Sequence, residues 1–226
     1  IIFALLLSIS PISKAAIGTI TEQQAAVPSI QRSKTTLQGT KGTGVEMQDE
    51  IKTAAGKVGI KFADDTQVKV NENSRLVIDD FVYDPKNKDT GKLALNMASG
   101  TARYASGAIA KNNPSKVAIN TPTATIAVRG TDFSATVDEL GQSTIILLPS
   151  CPTGYKNVER DCKVGVIDVY NDAGTVTLDQ AFQATRVTSR STAPVKPVTV
   201  TLSEDSISNI LILSPPKIGR ASCRER

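Results

Sequence analysis

Two of the three cysteines (Cys223 falls in the suspect tail, residues 218–226), two aspartate doublets and one Arg-Gly-Thr-Asp string are the features of this 226-residue chain whose types and spacing could do chemistry. Cys151 and Cys162 bracket a polar loop containing Pro152 and Gly154. In an oxidising compartment such a pair reads as a disulfide, the alternative being two free thiols. A zinc site would need two more ligands, and the chain has no His at all. The same absence excludes Ser-His-Asp and Cys-His catalysis. Asp64-Asp65 and Asp79-Asp80 could serve as paired carboxylates for glycoside hydrolysis. Asp64-Asp65 and Asn171-Asp172 could equally offer oxygens to calcium, but neither has the full loop pattern. Adjacent aspartates on turns are usually solvated, and no aromatic sugar platform accompanies them. Gly39 to Gly44 is glycine-rich but lacks the Gly-Lys-Ser/Thr ending of a phosphate loop. The expectation is a protein that is not an enzyme and carries no metal or cofactor.

The Arg129-Gly130-Thr131-Asp132-Phe133 string has a different logic. Ile126 and Val128 share one strand face before Gly130; Phe133, Ala135 and Val137 share one after it. The inward set shifts from even to odd numbers, as a bulge or sharp bend requires, and glycine tolerates such a backbone. Thr131 and Asp132 can bond neighbouring backbone groups. Arg129 can pair with Asp132 or Asp138. Two roles stay open for the string: a structural one, or a contact with a partner made by Arg129 and Asp132.

Residues 1–15 run from an apolar stretch, Ile1 to Leu7, to Ser13-Lys14-Ala15. Small residues at −3 and −1 of a cleavage site make this the end of a secretory leader, cut at its start, with a short buried helix as the alternative. It is too short to span a bilayer. Residues 218–226 read as a translated sequencing adapter, which makes the chain a fragment from bulk environmental sequencing. Without both ends the formal charge falls from +4 to about +1, and no nucleic acid or anionic membrane is expected as a partner.

The elements between these ends are strands. Val and Thr abound, Trp is absent, and there are 5 Phe and 4 Tyr, so the core must be aliphatic. Strands are expected at 17–21 and 29–32, a turn at 39–44, then period-two alternation through Val58, Ile60, Phe62, Val68, Val70, Leu76 and Ile78. Asp84 to Gly91 is a hairpin tip whose return strand carries Leu93, Leu95 and Met97. Further strands carry Val117 and Ile119, the two halves of the Gly130 segment, Ile145 and Leu147, then Val164, Val166 and Val169, Val176 and Leu178, and 182–187. Pro194 and Pro197 mark a linker or edge segment, and Ser203 could cap a short helix. The fold class is all-β with little helix: many short antiparallel strands in a sandwich, roll or solenoid-like stack. The expected organisation is a lead-in over 16–44, a domain over 45–187 with its disulfide loop at 151–162, and a Pro-containing segment over 188–217.

Thr121-Pro122-Thr123-Ala124-Thr125-Ile126-Ala127-Val128 leading into Arg129–Phe133 resembles the hallmark of FecR-like domains. Gly59–Thr66 followed by Asn73–Leu76 is similar to that family's opening strand, acidic turn and strand, and Gly165–Val169 with Gly174 and Val176 to its closing hairpin. The resemblance covers roughly 45–187. It implies an extracytoplasmic all-β module whose best-known relatives sense an outer-membrane siderophore receptor and signal to a sigma factor. Those sensors carry a cytoplasmic sigma-binding segment and a membrane span where this chain has a leader. The expected function is therefore that of a stand-alone periplasmic or extracellular binding and signalling module with an unknown protein or surface-polymer partner. A surface or exopolysaccharide-associated structural protein is the alternative, and a carbohydrate-active enzyme the remote one.

Overall fold

The computed structural model describes residues 15–151 and 161–202. The expected leader (apart from Ala15), the helix after Ser203 and the adapter-like tail lie outside them.

The alternating sequence folds into two hydrogen-bonded ladders. Sheet A contains β1 (Gly18–Ala25), β4 (Gly44–Val45), β6 (Gly56–Phe62), β7 (Gln67–Val70), the second half of β9 (Lys92–Ala105), β12 (Asp132–Val137), β13 (Ser143–Leu148), β16 (Gln183–Val187) and β17 (Val198–Thr199). Sheet B contains β2 (Ser29–Arg32), β3 (Thr35–Gln38), β5 (Glu50–Lys52), β8 (Arg75–Val82), the first half of β9, β10 (Val117–Asn120), β11 (Thr125–Arg129), β14 (Val166–Asn171) and β15 (Gly174–Leu178). Because β9 belongs to both, the ladders form one continuous mixed sheet that folds onto itself. Inward residues from both halves, among them Ile30, Ile51, Phe62, Leu76, Leu95, Ile126, Phe133, Ile145 and Val169, share one aliphatic core. Phe62 stacks on Phe81, and Tyr104 on Phe133.

The chain repeatedly crosses from one sheet to the other, and most crossings turn on a residue with positive φ. Ala25 ends β1 before the crossing to β2, Gly42 lies between β3 and β4, Gln48 between β4 and β5, Asn73 between β7 and β8, Gly130 between β11 and β12, and Phe182 between β15 and β16. Gly100 makes the crossing inside β9. A strand cannot turn sharply out of its ladder in the extended region alone, so a left-handed residue supplies the corner.

Several sequence expectations need correction. One pairing is parallel: β10 runs alongside the first half of β9, from Val117 opposite Leu93 to Asn120 opposite Asn96. Parallel neighbours need a long connection, and it contains a short helix, α1 (Ala108–Asn112), that strand periodicity did not signal. The buried residues of β14 are Ile167 and Val169; Val164 is exposed and Val166 half-buried, so the inward face there is the odd one.

The lead-in is not separate. β1 pairs with β6 along its length, and Ile20 and Ile30 lie in the common core. Arg32 of β2 grips the wholly buried carboxylate of Asp49, Nε to Oδ1 at 2.8 Å and Nη2 to Oδ2 at 2.7 Å. It also reaches Glu46 at 2.6 Å and the Gly44 carbonyl at 2.8 Å. Such a fork needs the planar guanidinium.

Gly100 combines two constraints. Its φ is +82°, and a Cβ there would stand 2.1 Å from Ser74 Oγ and 2.6 Å from Ser74 Cα. Gly100→Ala should therefore destabilise by about 3 kcal/mol, the sum of a left-handed backbone penalty and overpacking against main chain. Denaturant melts measure it; a loss below ~1 kcal/mol would mean that the corner relaxes freely.

Candidate functional site

The Thr121–Phe133 string spans the corner between β11 and β12, and its residues divide by direction. At its start the hydroxyls make a buried network. Thr121 Oγ1 accepts from the Ala124 amide at 3.0 Å and from Ser143 Oγ at 2.8 Å, while Thr123 and Ser143 hydroxyls lie 2.6 Å apart. In β11, Ile126 and Val128 point into the core, so Ala127 and Arg129 point out. Gly130 follows with φ +66°, in open space.

Thr131 then anchors the corner. Its amide donates to Ser106 Oγ at 2.8 Å, its carbonyl accepts from the same hydroxyl at 2.7 Å, and its Oγ1 accepts from the Gly165 amide at 3.2 Å. Three chain segments that leave the ladders at this point are thereby satisfied. Phe133 is buried against Tyr104, with ring centroids 5.2 Å apart.

The charges do not pair as the sequence suggested. Asp132 is 7% exposed and meets Arg103 of β9, Nη2 to Oδ2 at 2.8 Å. Burial pushes its carboxyl above the ordinary aspartate value, and Arg103 opposes that rise. Asp132 is an internal ion pair, not a surface contact. Arg129 pairs instead with Asp168 of the adjacent strand β14, diagonally across on the outer face of sheet B, since Asp168 lies opposite Ala127. Asp168 also accepts from Thr177 Oγ1 at 2.7 Å. The Arg129 side chain stays 61% exposed. Around it the registers place two outward rows. One runs Ala118, Ala127, Asp168, Thr177; the other runs Asn120, Thr125, Tyr170, Thr175. Tyr170 is exposed, and Thr125 Oγ1 donates to Asn120 at 2.9 Å.

The other sequence candidates fall elsewhere. Cys151 and Cys162 form a disulfide at the base of their loop, where Ser150 and Lys163 make a β-bridge. The Asp64-Asp65 doublet does not act as a pair. Asp64 is fully buried and accepts from Thr66 N and Oγ1, at 3.0 and 2.8 Å, and from the Ile109 amide at 3.1 Å, which pins α1. Asp65 points outward to Lys61 at 2.8 Å. Asp80 pairs with Lys92 at 2.7 Å, while burial and its neighbour Asp80 push the Asp79 carboxyl up. No group of three or more metal-ligating side chains occurs among the described residues.

Arg103, Asp168 and Ser106 escaped the sequence reading because their partners are 25 to 39 residues distant. Asp64 could have been found: Asp-x-Thr at a turn is an Asx pattern that bonds its own backbone.

The two outer members of the string, Arg129 and Gly130, separate in a stability measurement. Gly130→Val should cost more than ~1 kcal/mol, because a β-branched side chain is strained at positive φ, while Gly130→Asn should cost less. Arg129→Ala should stay within about 1 kcal/mol of the parent, since its ion pair is exposed. Denaturant melts of the three variants check this order; a near-neutral Gly130→Val would refute the strain argument.

The family described as "FecR protein" matches residues 49–148. The match begins at the Asp49 held by Arg32 and ends with β13. The hairpin of β14 and β15, which resembled the family's closing hairpin, therefore lies outside it. No curated protein matches the chain. Two crystal structures of a protein inferred to be an anti-sigma factor from Parabacteroides distasonis ATCC 8503, at 1.65 and 2.50 Å, are similar at 11% identity with TM-scores of 0.45 and 0.46. The similarity covers 66% of this chain and 60% of theirs, so the chain spans about 60% of the length of those neighbours. The string around Gly130, the acidic turn at Asp64 and the strands that join them lie within the matched segment, so residues 49–148 are the part of this chain that matches the FecR protein family.

Proposed function

We propose that this chain is an exported, non-catalytic sensor or interaction module that contacts a protein partner through the outer face of sheet B around Arg129. One observation carries the reading. Within a string otherwise spent on corners and core, Arg129 is the charged group turned outward, on a sheet face set with Asp168, Thr125, Asn120 and Tyr170. Arg and Tyr are enriched where protein surfaces bind one another. The Arg129–Asp168 pair fixes the guanidinium in place while leaving it accessible, so a partner carboxylate would meet an ordered donor.

A non-catalytic role fits the chemistry. Asp64 is consumed by backbone amides, Asp65 and Asp80 by lysines, and Asp132 by Arg103. A FecR domain is a regulatory module in the family that this chain resembles. Export is supported by the leader-like residues 1–15 and by the Cys151–Cys162 disulfide, which persists in oxidising compartments. No helix among the described residues is long and apolar enough to cross a membrane.

Two measurements test the parts separately. In exporting cells, amino-terminal sequencing of the mature protein should read from about Ala16; an uncleaved cytosolic product would remove export. A photo-reactive residue at Thr177, beside the Asp168 that holds Arg129, should give a discrete protein adduct that Arg129→Glu abolishes, while the same group at exposed Lys41 gives none. Equal adducts at both positions, or none at Thr177, would overturn the proposed surface. A polydisperse carbohydrate adduct would instead indicate the surface-polymer alternative.

A further inference from the structure

Among the described residues, sheet B ends on two free edges, β3 and β15. β3 follows Lys34, has four residues, and reads Thr-Thr-Leu-Gln, which differs in its two directions. β15 is Gly174-Thr175-Val176-Thr177-Leu178. It pairs with β14 through all five residues without a bulge, and among the described residues no backbone bond reaches its other side. An edge strand is normally blunted by a lysine, a proline, a bulge or extreme shortness. Sheet A follows that rule at β17, which has two residues and comes just after Pro194 and Pro197. β15 has none of these devices.

The turn before β15 tells which groups are left over. Asp172 and Ala173 alone separate Asn171 from Gly174, which face each other in the ladder. Residues flanking a two-residue turn exchange both hydrogen bonds, and the pairs alternate from there. Val176 therefore bonds to Val169, while Thr175 and Thr177 turn their N–H and C=O groups away from β14. Both threonines are exposed, and Val176 is half-buried against the main core. The bare edge thus offers two donors and two acceptors, with no charge within the strand.

The strand is also its own mirror about Val176, since Thr-Val-Thr reads the same in both directions. In an antiparallel pair of two copies, Thr175 stands opposite the second copy's Thr177, and Val176 opposite Val176. All four left-over groups then find partners. Thr meets Thr on the outer face and Val meets Val on the inner one, both favourable cross-strand pairs. No other register between two copies of β15 uses all four groups. A two-fold interface demands such self-complementarity, whereas a foreign strand does not.

We propose that β15 is a dimerisation edge, at which a second copy of this chain adds antiparallel and joins the two sheets B into one. This goes beyond the surface proposed around Arg129, which the dimer leaves open. The two-fold axis stands perpendicular to the joined sheet, so both Arg129 side chains lie on one face. At the usual strand spacing the two β11 strands are about 24 Å apart. A partner with two matching contacts engages both at once and gains avidity.

Sedimentation equilibrium of the unaltered chain should show the mass of one chain when dilute and of two when concentrated. In the dimer the Thr175 and Thr177 amides should exchange hydrogen about tenfold or more slowly than in the monomer, while the Val176 amide, already bonded to β14, should change less. Thr175→Pro removes one edge donor on a side of the strand where proline is tolerated, and should give a folded monomer. Thr175→Val keeps that donor and should still dimerise; equal behaviour of the two variants would overturn the proposal. So would a chain that stays monomeric up to about 1 mM, a dimer whose Thr175 and Thr177 amides exchange as in the monomer, or growth into open filaments. If Thr175→Pro does not fold, the exchange pattern of the unaltered chain decides. Neither variant touches Arg129 or Asp168, so failure of the dimer and failure of the Arg129 surface are read separately.

Discussion

One strand holds the structure together. β9 pairs with β8 and β10 through its first half and with β7 and β12 through its second, so four neighbours take their registers from it. It can do so only by leaving one ladder and entering the other at Gly100. There the backbone adopts φ +82° and presses against Ser74. Ser74 in turn occupies the corner: its Oγ accepts from the Thr101 amide at 2.9 Å, and its own amide donates to Thr53 Oγ1 at 2.9 Å. A corner in a sheet strands backbone groups that the ladder would otherwise satisfy, and buried groups of that kind need partners.

The same solution recurs. Ser106 and Thr131 satisfy each other's segment at the Gly130 corner, Thr121, Thr123 and Ser143 do so where β10 turns into β11, and Asp64 with Thr66 does so beneath α1. Short hydroxyl and carboxylate side chains reach nearby backbone without filling much volume, which suits the tight ends of a folded-over sheet. The frequent Ser and Thr of this chain are thus partly a record of its corners, not only of strand propensity.

The folding unit is larger than the segment that carries the family signature. β1 and β2 complete it on one side, clamped by Arg32 on Asp49, and β14 to β16 complete it on the other through β11 and β13. Asp168, which holds Arg129 on the surface, comes from this added part. The matched domain therefore presents its outward arginine only with the help of a strand beyond the match. The interaction surface proposed around Arg129 is built jointly by both.

Much of this was readable in the residues themselves. Period-two alternation placed the inward residues of β6 to β9 and β11 to β13, since a half-buried strand must alternate, and the parity change at Gly130 announced its corner because a one-residue shift reverses faces. Cysteine spacing announced the disulfide. What the tertiary structure alone decided was pairing: which strands meet, that one pair is parallel, that Asp132 belongs to Arg103 and Arg129 to Asp168, and that Asp64 is buried while Asp65 is not. Alternation is a local property, encoded residue by residue along one strand. Partnership across a sheet depends on where a crossing chain returns, and nothing within a strand records its neighbour.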